Sequence, residues 1–85
     1  MKIILTATAL LVALIYSWPS TAQTTFLSEQ AAGRHCPSDA VVWLNLPTGI
    51  YHLKGERWYG ATKHGAFVCK READNAGDRE TRNGQ

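Results

Sequence analysis

Two cysteines, Cys36 and Cys69, stand 33 positions apart in a chain of 85 residues, and their relation to each other decides how so short a chain can hold a fold. The N-terminus bears on this first. Met1 and Lys2 precede an apolar run from Ile3 to Tyr16, broken only by Thr6 and Thr8, and then SWPSTAQ with small residues at Ser20 and Ala22. A charged start, a short apolar core and a small-x-small site are the layout of a secretory signal peptide. The run stops well short of the roughly 20 apolar residues a spanning helix needs, so residues 1–22 are expected to be cleaved, leaving no stable membrane anchor. The chain is therefore expected to be secreted or periplasmic. In an oxidising compartment a single pair of thiols is most simply a disulfide.

Cleavage after Ala22 leaves residues 23–85, which is one domain at most. A chain of this size buries only about 60% of its unfolded surface, and small cores lean on staples. A Cys36–Cys69 bond would contribute about 3–4 kcal/mol in the chain-entropy picture. Charge is less informative: nine Lys and Arg oppose seven Asp and Glu, a formal net charge of +2, from which loss of Lys2 removes one. Strong attraction to nucleic acid or anionic lipid shows as a marked basic excess or a basic run. Neither is present, so nucleic acid is not the expected partner. A protein or glycan of the cell envelope fits the compartment, and the composition goes no further.

Along the mature chain, residues 23–35 are polar and small, with one apolar pair, Phe26 and Leu27, and no sustained period; they read as a flexible leader. Residues 36–77 form the single domain. AVVWLN, Ala40 to Asn45, is the strongest strand, β-branched and aromatic and bounded by Pro37 and Pro47. LPTG supplies turn chemistry, with Pro47 fixing φ and Gly49 free to take positive φ, and IYHL, Ile50 to Leu53, reads as the partner of a hairpin. Gly60 and Gly65 then break any period around Trp58 and Tyr59, and AFVC, Ala66 to Cys69, is a short third strand. KREADNAG reads as a helix of about two turns closed by Gly77. Residues 78–85 are a polar C-terminal tail. The expected fold is α+β: a hairpin, a short third strand and one C-terminal helix, stapled by the disulfide.

Three constellations suggest chemistry. His35, Cys36, His64 and Cys69 are zinc-type residues, but structural sites present ligands in close pairs such as C-x2-C, and here one pair is adjacent and the other five apart; no metal or other cofactor is expected. His52 with Glu56, or His64 with Thr62, has the composition of a catalytic pair, yet no nucleophile motif accompanies them and the chain is short for a water-excluding pocket. The expectation is a non-catalytic protein. Finally, Trp43, Tyr51, Trp58, Tyr59 and Phe67 with Lys54, Arg57 and Lys63 have the makings of a stacking platform for bases or sugar rings. A small core must draw on its largest side chains, so most of these aromatics belong inside, with Trp58 and Tyr59 expected outside because they lie in a loop. The candidate binding surface is thus His52, Lys54, Arg57, Trp58, Tyr59 and Lys63.

The segments VVWLN, TGIYH, GERWYG, TKHGAFVC and the helix ending in AG resemble a group of small secreted bacterial proteins, mostly of unknown function. Their shared pattern is VWxN, SGxYH, Gxx(W/Y)YG and TKxGxY(M/V)(C/S), followed by a short helix. The resemblance runs from Cys36 to about Gln85. More distantly, that group resembles the β-β-α metal-binding module of the Ada DNA-repair protein and of some competence-associated nucleases, whose pattern is YHxxxC, an EAxxAG helix and a CxxC. Tyr51, His52, Glu72, Ala73, Ala76 and Gly77 match that pattern. Glu56 stands at the first Cys position, and Thr81 and Gly84 at the final pair. The resemblance therefore implies the module's Ada-like fold without its metal. The expected role, taken over all of these features, is binding or accessory; its alternative is a degenerate nucleic-acid-binding module gripping phosphate through Lys54, Arg57 and Lys63.

Overall fold

The computed structural model describes residues 23–85; the signal peptide expected over residues 1–22 lies outside the described residues. The fold is organised around the VVWLN segment, whose β-branched and aromatic residues suit a pleated, half-buried surface. It forms the central strand β1 (Val41–Asn45). A four-residue turn leads to β2 (Ile50–His52), with Gly49 at φ 69° and its N–H donating to Asn45 O at 3.0 Å. On the other side of β1 lies β3 (Gly65–Cys69), also antiparallel. Successive side chains alternate across a strand, and the register sorts them without ambiguity. Val42 faces Val68, and Leu44 faces Tyr51 and Ala66, on one side of the sheet; Trp43 faces His52 and Phe67 on the other.

The first side is sealed by α2 (Lys70–Asn75), which follows β3 without a break. Val42, Leu44, Tyr51, Val68 and Ala73 form the buried core, with Leu53 packed against it. Asp39 caps the helix from a distance, accepting from Ala40 N through one oxygen and from Arg71 N through the other, both at 2.8 Å. At the other end Gly77, at φ 89°, donates to Asp74 O, and Asp78 N donates to Ala73 O. This is the paired bonding of a Schellman closure, for which a glycine is the favoured residue. The Tyr51 hydroxyl donates to Asp74 Oδ1 at 2.7 Å while Lys70 Nζ reaches Asp74 Oδ2 at 3.1 Å, fastening helix to strand. Burial, reinforced by that bond, holds the Tyr51 phenol above its ordinary range. The same bond, and then the one from Lys70, hold the Asp74 carboxyl below its ordinary range.

Two expectations at the ends of the domain are corrected. The segment read as a flexible leader contains α1 (Glu29–His35), capped by Ser28 Oγ accepting from Ala31 N. Phe26, ahead of it, pairs with Phe67 through two backbone bonds of 2.9 Å. Helix propensity alone does not hold a seven-residue segment containing Gly33. Tertiary contact does: Ala32 is fully buried, and the helix ends at Cys36. The tail likewise is not without structure. β4 (Arg79–Glu80) pairs in parallel with β2, giving four strands in the order β3-β1-β2-β4. The domain is thus α+β with a four-stranded sheet and two helices, where three strands and one helix were expected.

The cysteines are bonded to each other, with Cα atoms 6.2 Å apart. Cys69 ends β3 and precedes α2, and Cys36 ends α1, so the bridge ties the first helix to the strand-to-helix junction. No helix among the described residues is long and apolar enough to cross a membrane.

Candidate functional site

The second side of the sheet is covered by irregular chain, and the reason lies in glycine and tryptophan geometry. Gly65 sits beside the Trp43 indole so closely that a Cβ there would lie 2.3 Å from two ring carbons. Trp43 therefore lies across the sheet over Gly65, its edge against Phe67 at a centroid distance of 4.8 Å. Its Nε1 donates to Thr62 Oγ1 at 2.7 Å, which draws segment 53–64 down over the sheet. Tyr59 packs edge-on against Phe67 from that segment, and Gly60 takes φ 69° to let the chain turn beside the same ring.

Between this segment, the β1–β2 turn and the C-terminal residues lies a cleft of about 520 Å3, within the range of small-molecule sites. Trp58, 38% exposed, forms part of its wall with Ile50 and Ala61. Amides and hydroxyls fill the rest. Asn45 Nδ2 donates to Thr48 Oγ1 at 2.9 Å, and Thr81 Oγ1 donates to Asn83 Oδ1 at 2.9 Å. Asn83 in turn donates to Gln85, while Gln85 O accepts from Trp58 N at 2.9 Å and so holds the tail to the loop. His52 and Lys63 complete the lining. His52 is only 7% exposed, and its Nδ1 has no hydrogen-bond partner among the described residues. A buried polar atom without a partner costs about 1–3 kcal/mol, so its retention beside a cleft is a feature to be explained.

The six residues of the expected binding surface are divided by the structure. His52, Trp58 and Lys63 meet in the cleft. Arg57 lies over the Trp58 ring, its guanidinium carbon 4.9 Å from the centroid. Lys54 turns away to pair with Glu29 at 2.7 Å, well exposed. Tyr59, expected outside, packs inward; burial pushes its phenol up to about 12, and the nearby Glu29 carboxylate adds to the shift. Its hydroxyl has no hydrogen bond of good geometry among the described residues. Sequence reasoning missed Asn45, although strand alternation from Trp43 places it on this side. It missed Asn83 and Gln85 too, because nothing in a short polar segment signals that it folds back.

Neither suggested catalytic pair is assembled. Glu56 accepts from Leu53 N, and the Thr62 hydroxyl is engaged by Trp43. Of the zinc-type residues, His35 and Cys69 converge with Glu72, their ligand atoms within 4.8 Å of one another. There the sulfurs are bonded to each other and His35 Nε2 lies 2.8 Å from Glu72 Oε2, an α1-to-α2 contact beside the bridge. The sulfurs are not thiolates, the form in which cysteine binds zinc. No protein-family model, curated protein or solved structure matches this chain.

Proposed function

We propose that this is a non-catalytic binding or accessory protein of the secreted or periplasmic space, and that the cleft at Trp58 and His52 is its binding site. The disulfide is the chemistry of an oxidising, non-cytoplasmic environment, in keeping with the signal-like N-terminus. The observation that carries the reading is convergence. Asn45, His52, Trp58, Thr62 and Lys63, which fall in the segments that resemble the small secreted bacterial proteins, line one cleft. Trp58 and Lys63 among them are exposed, as a recognition surface requires. Aromatic and amide groups around a cleft suit reversible recognition, and His52 makes no hydrogen bond to a hydroxyl or amine of the lining that would pair a base with a nucleophile.

The more distant likeness to the Ada-type β-β-α module fits this arrangement as descent of a fold. Glu56 and Gly84, at positions of that module's ligands, are neighbours: a Cβ on Gly84 would lie 4.0 Å from Glu56 Oε2. Thr81, at another such position, is held by its N–H to Tyr51 O at 3.0 Å. With no cysteine at any of these three positions, the site is free for a different kind of ligand.

Titration of isotope-labelled, disulfide-intact protein with fractionated envelope proteins and glycans, followed by amide NMR shifts, tests the proposal. The expected shifts cluster at His52, Trp58, Lys63 and Asn83. Trp58→Ala should abolish them while leaving the domain folded, as judged by unchanged amide shifts in β1, β3 and α2. Binding that shifts only residues remote from the cleft, or that survives Trp58→Ala unchanged, would refute it.

A further inference from the structure

Resting on that reading, we infer that the ligand class is an acidic glycan: a short run of sugar rings bearing carboxylates. A second, smaller cleft of about 210 Å3 adjoins the first and shares Ile50, Thr81 and Asn83 with it. Meeting at these shared residues, the two are taken together as one groove. Its cations are spread over both parts, with Lys63 in the larger and Arg79 and Arg82 in the smaller. None of the three makes an ion pair with a described carboxylate, and no Asp or Glu lines either part. The nearby acids are engaged or turned aside: Glu56 by Leu53 N, Asp78 by Gln23, with Glu80 exposed on β4 outside the lining. A groove with unpaired guanidinium groups and no acid is complementary to carboxylate, which arginine binds in bidentate geometry.

The rest of the lining selects sugar over nucleic acid. Base stacking on a single strand uses successive aromatic faces, and this groove has one. Trp58 is its only aromatic apart from His52; Tyr59 and Phe67 are spent on each other, and Trp43 lies under the loop. What surrounds Trp58 are the amides of Asn45, Asn83 and Gln85, which offer donor and acceptor together and so match ring hydroxyls. An aromatic side chain and amides in one lining suit a sugar ring, and the cations of the two parts suit its acid groups.

Calorimetric titration of disulfide-intact protein purified from the full-length chain tests this, with three probes of matched length: a uronic-acid tetrasaccharide, its carboxyl-reduced neutral counterpart and an oligothymidylate. The acidic sugar should bind at least tenfold more tightly than the neutral one, about what one charge-assisted hydrogen bond supplies. Arg79→Gln with Arg82→Gln should erase that preference while leaving the weak neutral binding in place, and Trp58→Ala should remove both. Equal binding of acidic and neutral sugars, with shifts still at the cleft, overturns the acidic class and leaves the binding site standing. Tighter binding of the oligothymidylate overturns the glycan in favour of a phosphate polymer. Absence of binding by all three probes overturns the inference, while envelope fractions that still shift the cleft would preserve the site itself.

Discussion

The two faces of the sheet are built by opposite means. On one, Val42, Leu44, Tyr51, Val68 and Ala73 meet a regular helix in an aliphatic core, and the polar groups that enter are paired, as with Tyr51 to Asp74. On the other, Trp43, Phe67 and Tyr59 pack edge to edge beneath irregular chain. Two of the three buried polar atoms without a partner among the described residues, His52 Nδ1 and the Tyr59 hydroxyl, belong to this second face. So does the cleft. A domain this small has no spare scaffold on which to mount a site, so its one sheet is divided: one face holds the fold, and the other carries the cleft and two unpartnered polar atoms, where we propose that a ligand is recognised.

The largest effect should come from removing what both faces share. The bridge joins α1 to the start of α2, so replacing Cys36 and Cys69 with Ser should cost about 3–4 kcal/mol, the loop-closure value for this separation. In so small a core that is most of the stability. Denaturant unfolding should find the double variant largely unfolded near physiological temperature, and thiol titration of the native protein should find no reactive thiol. A melting point within a few degrees of the parent would show that the two faces hold without the staple.

An intermediate effect separates the faces. Gly65→Ala drives a methyl group into the Trp43 indole. The ring cannot easily yield, because Thr62 holds its Nε1 and Phe67 its edge. Overpacking of this kind costs about 1–3 kcal/mol. Hydrogen exchange should show the loss first in residues 57–64, with the amides of α2 still protected. Gly33→Ala is the control: nothing lies within 4 Å of a Cβ there, and alanine in a helix should stabilise by about 0.5–1 kcal/mol. If both substitutions destabilise α2 equally, the faces are not independent.

The same division explains what the sequence revealed. The α2 face was legible because its signals are local: VVWLN is β-branched and aromatic, LPTG turns, and Gly77 closes the helix. The cleft was half legible. His52, Trp58 and Lys63 stand out by chemistry, but residue type alone does not distinguish Trp58, which faces the cleft, from Tyr59, which packs on Phe67. The neighbouring glycines fix the path of the chain there, and that path depends on Trp43 from another strand. α1 and β4 left no trace because neither has an apolar stripe of its own; Ala32 and the backbone of Arg79 are placed by partners far along the chain.

The smallest effect concerns the unpaired hydroxyl on the loop face. In the fold the Tyr59 phenol is raised from the ordinary value of 10.0 to about 12, which means that the folded state favours the neutral form. The corresponding stability is fully present below pH 10 and is lost as pH rises from there through about 12. Tyr51, also raised by burial and by its bond to Asp74, acts in the same direction, so the whole protein should weaken in strong alkali. Tyr59→Phe removes the ionisable group and a buried hydroxyl that lacks a well-formed bond, so at pH 7 it should leave stability unchanged or raise it slightly. Above pH 10 it should lose stability less steeply than the parent, with the remaining slope due in part to Tyr51. Denaturant midpoints at pH 7, 10 and 11 measure this directly. A variant clearly less stable at pH 7 would mean that the Tyr59 hydroxyl is bonded after all, and that the loop face is as well satisfied there as the helical one.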